Sequence, residues 1–316
     1  MTLDPRRGIP SPGLPPRGLA GAAPTRPMPR AAGRPAAPAR PSRILCLDVE
    51  TVPDAELVPE DFPKDRFPKP AWHKVVAIAF AEARIEVGAD GSERYILECC
   101  RSGGEADWSE ERLLRGFWRH FAEGDFRLVS WNGRAFDLPV LLLRAFLYGI
   151  PTGAYFLRGD RWAGYANRYA PDYHSDVMEL LSSYGAATRM GLDEMAVAMG
   201  LPGKAGEHGS NVEAMVSEGR IERVRNYCET DVLNTLALYC RWSLLCGRSD
   251  VDGHDASFSG MVEYLSAERG ARPHLGTFLD RWRCSSRPAP MLLKGPGGGP
   301  ASMAADEQAV VVEGQP

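Results

Sequence analysis

RILCLDVETVPD, residues 43–54, is a strand-forming run that carries two acids, Asp48 and Glu50, toward its far end. Successive strand side chains point to opposite faces, which places Asp48 and Glu50 on the same face as Ile44 and Cys46. Two ionised carboxylates on a core face repel each other and lose hydration, a cost of several kcal/mol unless a positive group lies between them. A strand that has reached solvent accounts for the pair; so does a divalent metal held at the end of a core strand.

The flanking text is β-rich. KVVAIAFAEARIEV (74–87), the turn ADGS, and RYILECC (94–100) predict, with the opening run, a meander of three antiparallel strands. A helix is expected over 109–122, where Leu113, Leu114, Phe117, Trp118 and Phe121 recur at helical spacing, and RLVSW (127–131) reads as a fourth, short strand. From there the text is helical at 138–148, 176–183, 192–199, 211–217 and 220–246, with weaker helices at 257–269 and 274–283. Strands first, helices after and alternation between them predict an α/β sandwich around one mixed sheet, with no internal repeat.

Of 316 residues, 44% are hydrophobic, enough for one sizeable core. Residues 1–43 hold eleven prolines, eight arginines and one acid with no apolar period, which predicts a disordered leader over 1–42. Its arginines suit a transit peptide, but its prolines break the amphipathic helix such peptides need. Residues 285–316, with KGPGGGPASMAA, read as a disordered tail, leaving 43–284 as one domain. No run approaches the ~18–20 apolar residues of a membrane span, and the leader lacks the apolar centre of a secretory signal, so a soluble cytoplasmic protein without a membrane partner is expected. The seven cysteines form no Cys-x-x-Cys pair and have no histidines at zinc spacing, and are expected to be reduced core thiols. Residues 1–43 contribute +7 and the tail −1 to a net charge of −4, so residues 44–284 carry −10. Such a domain lacks the broad basic face of most nucleic-acid binders, and any nucleic acid must be held by metals and a local patch.

Two further stretches place acids where the pattern faces inward. In SWNGRAFDLPVLLLRAFLYG (130–149), a strand ends at Trp131, Asn132 opens a loop, and Asp137 stands where an N-cap belongs, with Pro139 in the first turn. In RIERVRNYCETDVLNTLALYCRWSLL (220–245), Asp231 lies seven residues after Val224 and seven before Leu238, on the inward seam, with Tyr227 one turn earlier on the same face. Alone, Asn132 is equally a turn residue, Asp137 a cap, and Tyr227 a core ring beside a carboxylate that reaches solvent.

Taken together, Asp48-x-Glu50, Asn132-x-x-x-Phe136-Asp137 and Tyr227-x-x-x-Asp231 resemble the three motifs of the DEDD superfamily of 3′-5′ exonucleases, over about residues 43–250. The tyrosine is similar to that of the DEDDy subgroup; the position that holds histidine in the other branch is Asn226 here. HSDVMELLSSYG, GLPGK followed by GSNV, and YCETDVLNT resemble the stand-alone bacterial predicted exonucleases related to the proofreading domain of B-family DNA polymerases.

The resemblance implies a ribonuclease H-like mixed sheet flanked by helices and a catalytic set of Asp48, Glu50, Asp137, Tyr227 and Asp231. The four acids would hold two divalent ions, which an all-oxygen ligand set identifies as Mg²⁺ or Mn²⁺. Tyr227, with an ordinary pKa of about 10, would orient water rather than act as a base.

Softer candidates for substrate binding are Thr51, Asn132 and Phe136, together with Arg158, Arg161 and Trp162, which interleave cations with rings as single-strand binders do. Lys204 and Ser210 flank a Gly-rich turn suited either to a phosphate or to a plain helix connection, and Asp176 either matches an acidic family position or caps the next helix. The expected partner is nucleic acid with a free 3′ end. Single-stranded DNA is favoured, RNA is the rival substrate, and a catalytically idle nucleic-acid-binding scaffold is the rival class. No polymerase domain is expected in the chain, which leaves proofreading in trans, DNA repair and nucleotide scavenging as settings.

Overall fold

The computed structural model describes residues 41–63, 65–203, 211–285 and 291–294. Lys204, Ser210, nearly all of the leader and most of the tail lie outside the described residues.

The opening run forms β1 (Arg43–Pro53), and the meander continues through β2 (His73–Val87) and β3 (Glu93–Ser102). Helix α1 (Glu110–Glu123) leads to β4 (Phe126–Ser130), then α2 (Asp137–Leu147), a short α3 (Gly153–Leu157) and β5 (His174–Asp176). The sheet order is β3-β2-β1-β4-β5. β1 and β3 run antiparallel to β2, β4 runs parallel to β1, and β5 parallel to β4. This mixed sheet with helices on both faces is the ribonuclease H-like arrangement. Helices α4 (Val177–Leu181), α5 (Leu192–Ala198), α6 (Val212–Ser217), α7 (Ile221–Leu245), α8 (Val251–Glu268) and α9 (Pro273–Arg283) complete the described elements.

Alternation along β1 divides the core. Leu45, Leu47 and Val49 pack with Leu114, Phe117 and Trp118 of α1 and with Leu138 and Leu141 of α2. Ile44 and Cys46 face Val232, Leu236 and Tyr239 of α7, backed by Phe258 of α8 and Phe278 of α9. With 25 residues, α7 spans roughly 37 Å and runs the length of this face.

Several expectations are corrected. β5 and α3 were not foreseen; residue 176 was assigned to a helix, whereas it ends a strand of only three residues, too short to show a period. α8 begins at Val251 rather than at residue 257, because Asp250 caps it by accepting the Gly253 amide at 2.7 Å. Of the cysteines, Cys46, Cys100, Cys228 and Cys240 are buried, but Cys246 and Cys284 are exposed. Within the stretch read as tail, Met291 and Leu292 pack on the core and Asp255 accepts the amides of Leu293 and Lys294, each at 2.9 Å. Among the described residues no helix is long and apolar enough to cross a membrane.

The edge strand β3 is closed by side chains. The Tyr95 amide donates to Ser257 Oγ at 2.9 Å, Cys100 to the Tyr264 hydroxyl at 2.9 Å, and Ser102 to Glu229 at 2.6 Å, which occupies groups that would otherwise pair with another chain. At the start of β4, Arg127 is fully buried and donates to both carboxylate oxygens of Glu93 and to the Tyr239 hydroxyl at 2.8 Å. Burial works against ionisation of Glu93, but hydrogen bonding and charge from Arg127 hold it below its ordinary value. Arg127→Met should therefore lower stability by about 3–5 kcal/mol, because Glu93 is left as a buried charge, and Arg127→Met with Glu93→Leu should lose less. Urea unfolding of the three proteins tests this; a single variant milder than the double would show that the ion pair is not what holds this end of the sheet.

Candidate active site

Asp48 and Glu50 pair across the sheet with Ala79 and Ala77, so their cross-strand neighbours on this face bring no cation. The β1–β2 register shifts between Glu50 and Thr51. Pairing of β1 with β4 stops at Cys46 and Val129, leaving the β4 side of β1 open beyond that point. Asp137 fills it: its Oδ1 accepts the Val49 amide at 3.0 Å.

This corrects the expected cap. Phe136 is the residue before α2, no side-chain cap is formed there, and Asp137 is the first helical residue. An unsatisfied strand amide claims its carboxylate instead.

The turn that delivers Asp137 is held from β5. Asn132 adopts a left-handed conformation (φ 63°), which asparagine tolerates, and donates its amide to Asp176 Oδ1 at 3.0 Å. The Arg134 amide donates to Asp176 Oδ2 at 2.9 Å. Asp176 also caps α4 through the Glu179 amide, the second of its two sequence readings. Between them Gly133 is required, since a Cβ there would lie 2.4 Å from Ser130 Oγ.

From α7, Tyr227, Cys228 and Asp231 face the end of β1, and all three are buried. Cys228 Sγ donates to Asp48 Oδ2 at 3.3 Å and lies 3.4 Å from the Asp48 carbonyl. Asp48, Glu50, Asp137 and Asp231 line one cavity of about 440 Å³, with Phe67, Trp131, Phe136 and Leu192 as apolar wall.

The electrostatics are those of crowded acids. Burial first, then the charges of Asp137, Glu50 and Asp231, push Asp48 well above its ordinary range. Burial raises Asp137 to about 7 against the opposing hydrogen bond from Val49. Burial, then Asp231, Glu50 and Asp48, push the Tyr227 phenol up, so it stays protonated and acts as a donor. One ligand atom each from Asp48, Glu50 and Cys228 lies within 4.8 Å of the others; the two carboxylates suit a hard divalent cation, whereas burial and then the Asp48 and Glu50 charges push the Cys228 thiol up and keep it a hydrogen-bond donor to Asp48. Cys228 was missed as a neighbour of the acids, although its place beside Tyr227 and three residues before Asp231 puts it on the same helix face.

The softer candidates divide. Phe136 stands at the cavity, its ring 5.0 Å from His73 and 5.5 Å from Phe67, a largely exposed ring that sequence reading passed over. Thr51 Oγ1 is 3.0 Å from His73 Nδ1. His73 Nε2 meets the Pro68 carbonyl at 3.2 Å; a carbonyl only accepts, so Nε2 carries the proton and Thr51 donates to Nδ1. Arg158 is taken up by carbonyls of Phe121, Ala122 and Gly124 at the end of α1. The Arg161 guanidinium lies 4.3 Å over the Trp162 ring, on a loop tied by Tyr165 to the carbonyl of Phe126, the first residue of β4. None of these three lines the cavity, because β4 runs parallel to β1 and its start is the end of the sheet away from the acids.

Residues 65–282 match a family model described as a predicted 3′-5′ exonuclease related to the exonuclease domain of PolB. The chain belongs to this family. The match takes in Asp137, Tyr227 and Asp231, while Asp48 and Glu50 precede it. Among solved structures the exonuclease-family chain is similar to the family B DNA polymerase from the hyperthermophilic archaeon Pyrobaculum calidifontis, with 20% identity and a TM-score of 0.41. That likeness covers 71% of this chain and 29% of the polymerase chain, so the chain spans less than a third of the polymerase's length. A comparison with curated proteins finds no match.

The raised Asp137 value has a consequence for stability. In metal-free protein the folded state binds its proton more tightly than the unfolded chain, so the stabilisation is complete below pH 3.8 and is lost as pH rises through about 7. Thermal melts in EDTA should show stability falling by about 1 kcal/mol or more across that window, and Mn²⁺ should restore it at neutral pH. A melting profile that rises from pH 4 to 7 and ignores Mn²⁺ would show that the acids are not mutually strained.

Proposed function

We propose that the chain is a metal-dependent 3′-5′ exonuclease that hydrolyses nucleic acid from a free 3′ end to nucleoside 5′-monophosphates, with single-stranded DNA as substrate. The observation that carries this reading is the convergence of Asp48, Glu50, Asp137 and Asp231, from β1, α2 and α7, on one cavity. A binding module gains nothing from holding four acids together against burial and repulsion.

In this reading Asp48, Glu50 and Asp231 hold the metal ions directly, with Asp137 in support. Bound Mg²⁺ or Mn²⁺ supplies activation of the attacking water and charge stabilisation for an in-line displacement at phosphorus. Asp137 is also fixed to β1 by the Val49 amide, so the entry of α2 is set relative to β1. Tyr227, kept protonated by burial and its acidic neighbours, donates a hydrogen bond that orients water and does not take its proton. Phe136 and Phe67 offer ring faces to a terminal base, and the cavity's apolar wall excludes bulk water from the phosphate.

The direct test is a time course on 3′-labelled single-stranded DNA, recessed duplex and RNA of one sequence with Mg²⁺ or Mn²⁺. Single-stranded DNA should be shortened from the 3′ end with release of labelled 5′-mononucleotide; no release from any substrate would overturn the reading. Asp48→Ala, Glu50→Ala and Asp231→Ala should each reduce cleavage to background while the metal-free melting temperature holds or rises. Tyr227→Phe keeps the ring and removes the donor, so kcat should fall by roughly 10- to 100-fold with little change in binding. Unchanged turnover would remove Tyr227 from the machinery.

A further inference from the structure

The carboxylates of the cavity are not all held in the same way. Asp137 is oriented by a main-chain donor, the Val49 amide at 3.0 Å. Asp48 has no such amide. Among the described residues its carboxylate accepts from one donor, the Cys228 thiol, with Sγ 3.3 Å from Oδ2. The same sulfur lies 3.4 Å from the Asp48 main-chain carbonyl, which seats it against the backbone of β1. Cys228 is fully buried and does not line the cavity that Asp48, Glu50, Asp137 and Asp231 share. The thiol therefore meets Asp48 from the α7 side, and the cavity meets it from another.

A reciprocal contact prepares this one. Cys46, two residues earlier on β1, donates from its Sγ to the Val232 carbonyl of α7 at 3.4 Å. Two strand residues span roughly 6.6 Å, and the four helical residues from Cys228 to Val232 span about 6 Å. Strand and helix thus run in step, each giving a thiol to the backbone of the other. Cys100 of β3 adds a third such contact, its Sγ 3.6 Å from the Glu229 carbonyl. These links hold Cys228 in place beside Asp48.

A carboxylate has about four acceptor sites on its two oxygens, and its terminal torsion is broad and easily turned. A donor at Oδ2 selects one orientation and leaves the remaining sites for a cation. A thiol is a weak donor, so it orients the group without neutralising it as a guanidinium would.

We infer that Cys228 is a positioning residue for the metal site: its thiol holds the Asp48 carboxylate in the orientation that presents it to a divalent cation, and the sulfur is not itself a ligand. This rests on the exonuclease reading and assigns an orienting group to the first of its acids.

The test compares Cys228→Ala, which removes the donor, Cys228→Ser, which keeps one, and Cys240→Ala, which removes an equally buried thiol from the same helix nine residues beyond Asp231. Mn²⁺ binding to metal-free protein is read by calorimetry, and the half-activating Mn²⁺ concentration is read separately from hydrolysis of single-stranded DNA. Cys228→Ala should weaken both by roughly 10-fold, the scale for loss of a group that orients a metal ligand, while kcat at saturating Mn²⁺ stays within about 3-fold of wild type. Cys228→Ser should stay within about 3-fold throughout, and Cys240→Ala should bind Mn²⁺ as wild type does even though its melting temperature falls with the lost packing. Wild-type affinity in Cys228→Ala would overturn the inference, as would a Cys228→Ser as weak as Cys228→Ala or a Cys240→Ala as weak as either, which marks packing. A thiolate–cadmium absorption band present in wild type and missing in Cys228→Ser would overturn it by making the sulfur a ligand, and so would wild-type protein that takes up no Mn²⁺. Wild-type protein that binds Mn²⁺ but cleaves no nucleic acid would sink the exonuclease reading, while calorimetry still decides the role of Cys228.

Discussion

Removal of like charges from water is the constraint around which this molecule is organised. Asp48 is raised by burial and by three other carboxylates, and Asp137 and Tyr227 are raised beside it. Such a cluster exists only where other contacts hold the backbone in place against it. The arginines of the interior are committed elsewhere: Arg127 to Glu93, Arg144 to Glu110 and Asp54, and Arg134 to carbonyls of Tyr165, Asn167 and His174. Each of these ties a loop or helix to the sheet and leaves the carboxylate cavity negative, the condition a divalent cation answers.

Helix α7 connects the two regimes. Near its start it presents Tyr227 and Asp231 to the end of β1; farther along, Tyr239 accepts from the buried Arg127. Its middle is buried nearly all round, because β1 and β2 lie on one side and α8 and α9 on the other. The same rigid rod therefore senses the repulsive end and the anchored end. A shift of register by one residue would rotate Asp231 about 100° away from the cavity and also withdraw Tyr239 from Arg127.

The fold was legible where periodicity was long. The long apolar runs of β1 and β2, and the helical spacing of Leu113, Phe117 and Phe121 over several turns, placed those elements correctly. β5 has three residues and no repeat to read, yet it carries Asp176, which holds the Asn132 turn. Within the site, the four acids and Tyr227 were visible as charges or hydroxyls on inward faces. The role of Asp137 was misread as a cap because local sequence cannot show that β1 has an open amide at Val49, contributed from 88 residues away. Cys228 went unread for a similar reason: a buried thiol is ordinary until a distant carboxylate is placed 3.3 Å from it.

The aromatic wall shows the same dependence on distant contacts at finer scale. Phe136 is adjacent to Asp137 in sequence, but its ring is positioned by His73 and Phe67, and His73 in turn accepts the Thr51 hydroxyl hydrogen bond. Burial lowers the His73 pKa, so the ring stays neutral and its Nδ1 remains an acceptor near neutral pH. Protonation would turn both ring nitrogens into donors and force the Thr51 hydroxyl to reverse its hydrogen bond. The chain from Pro68 through His73 to Thr51 therefore fixes one hydroxyl orientation just past Glu50, with Phe136 packed across it. The acids arrive from β1, α2 and α7 and the apolar wall from the segments beside them, so the cavity is strongly charged on one side and apolar on the other.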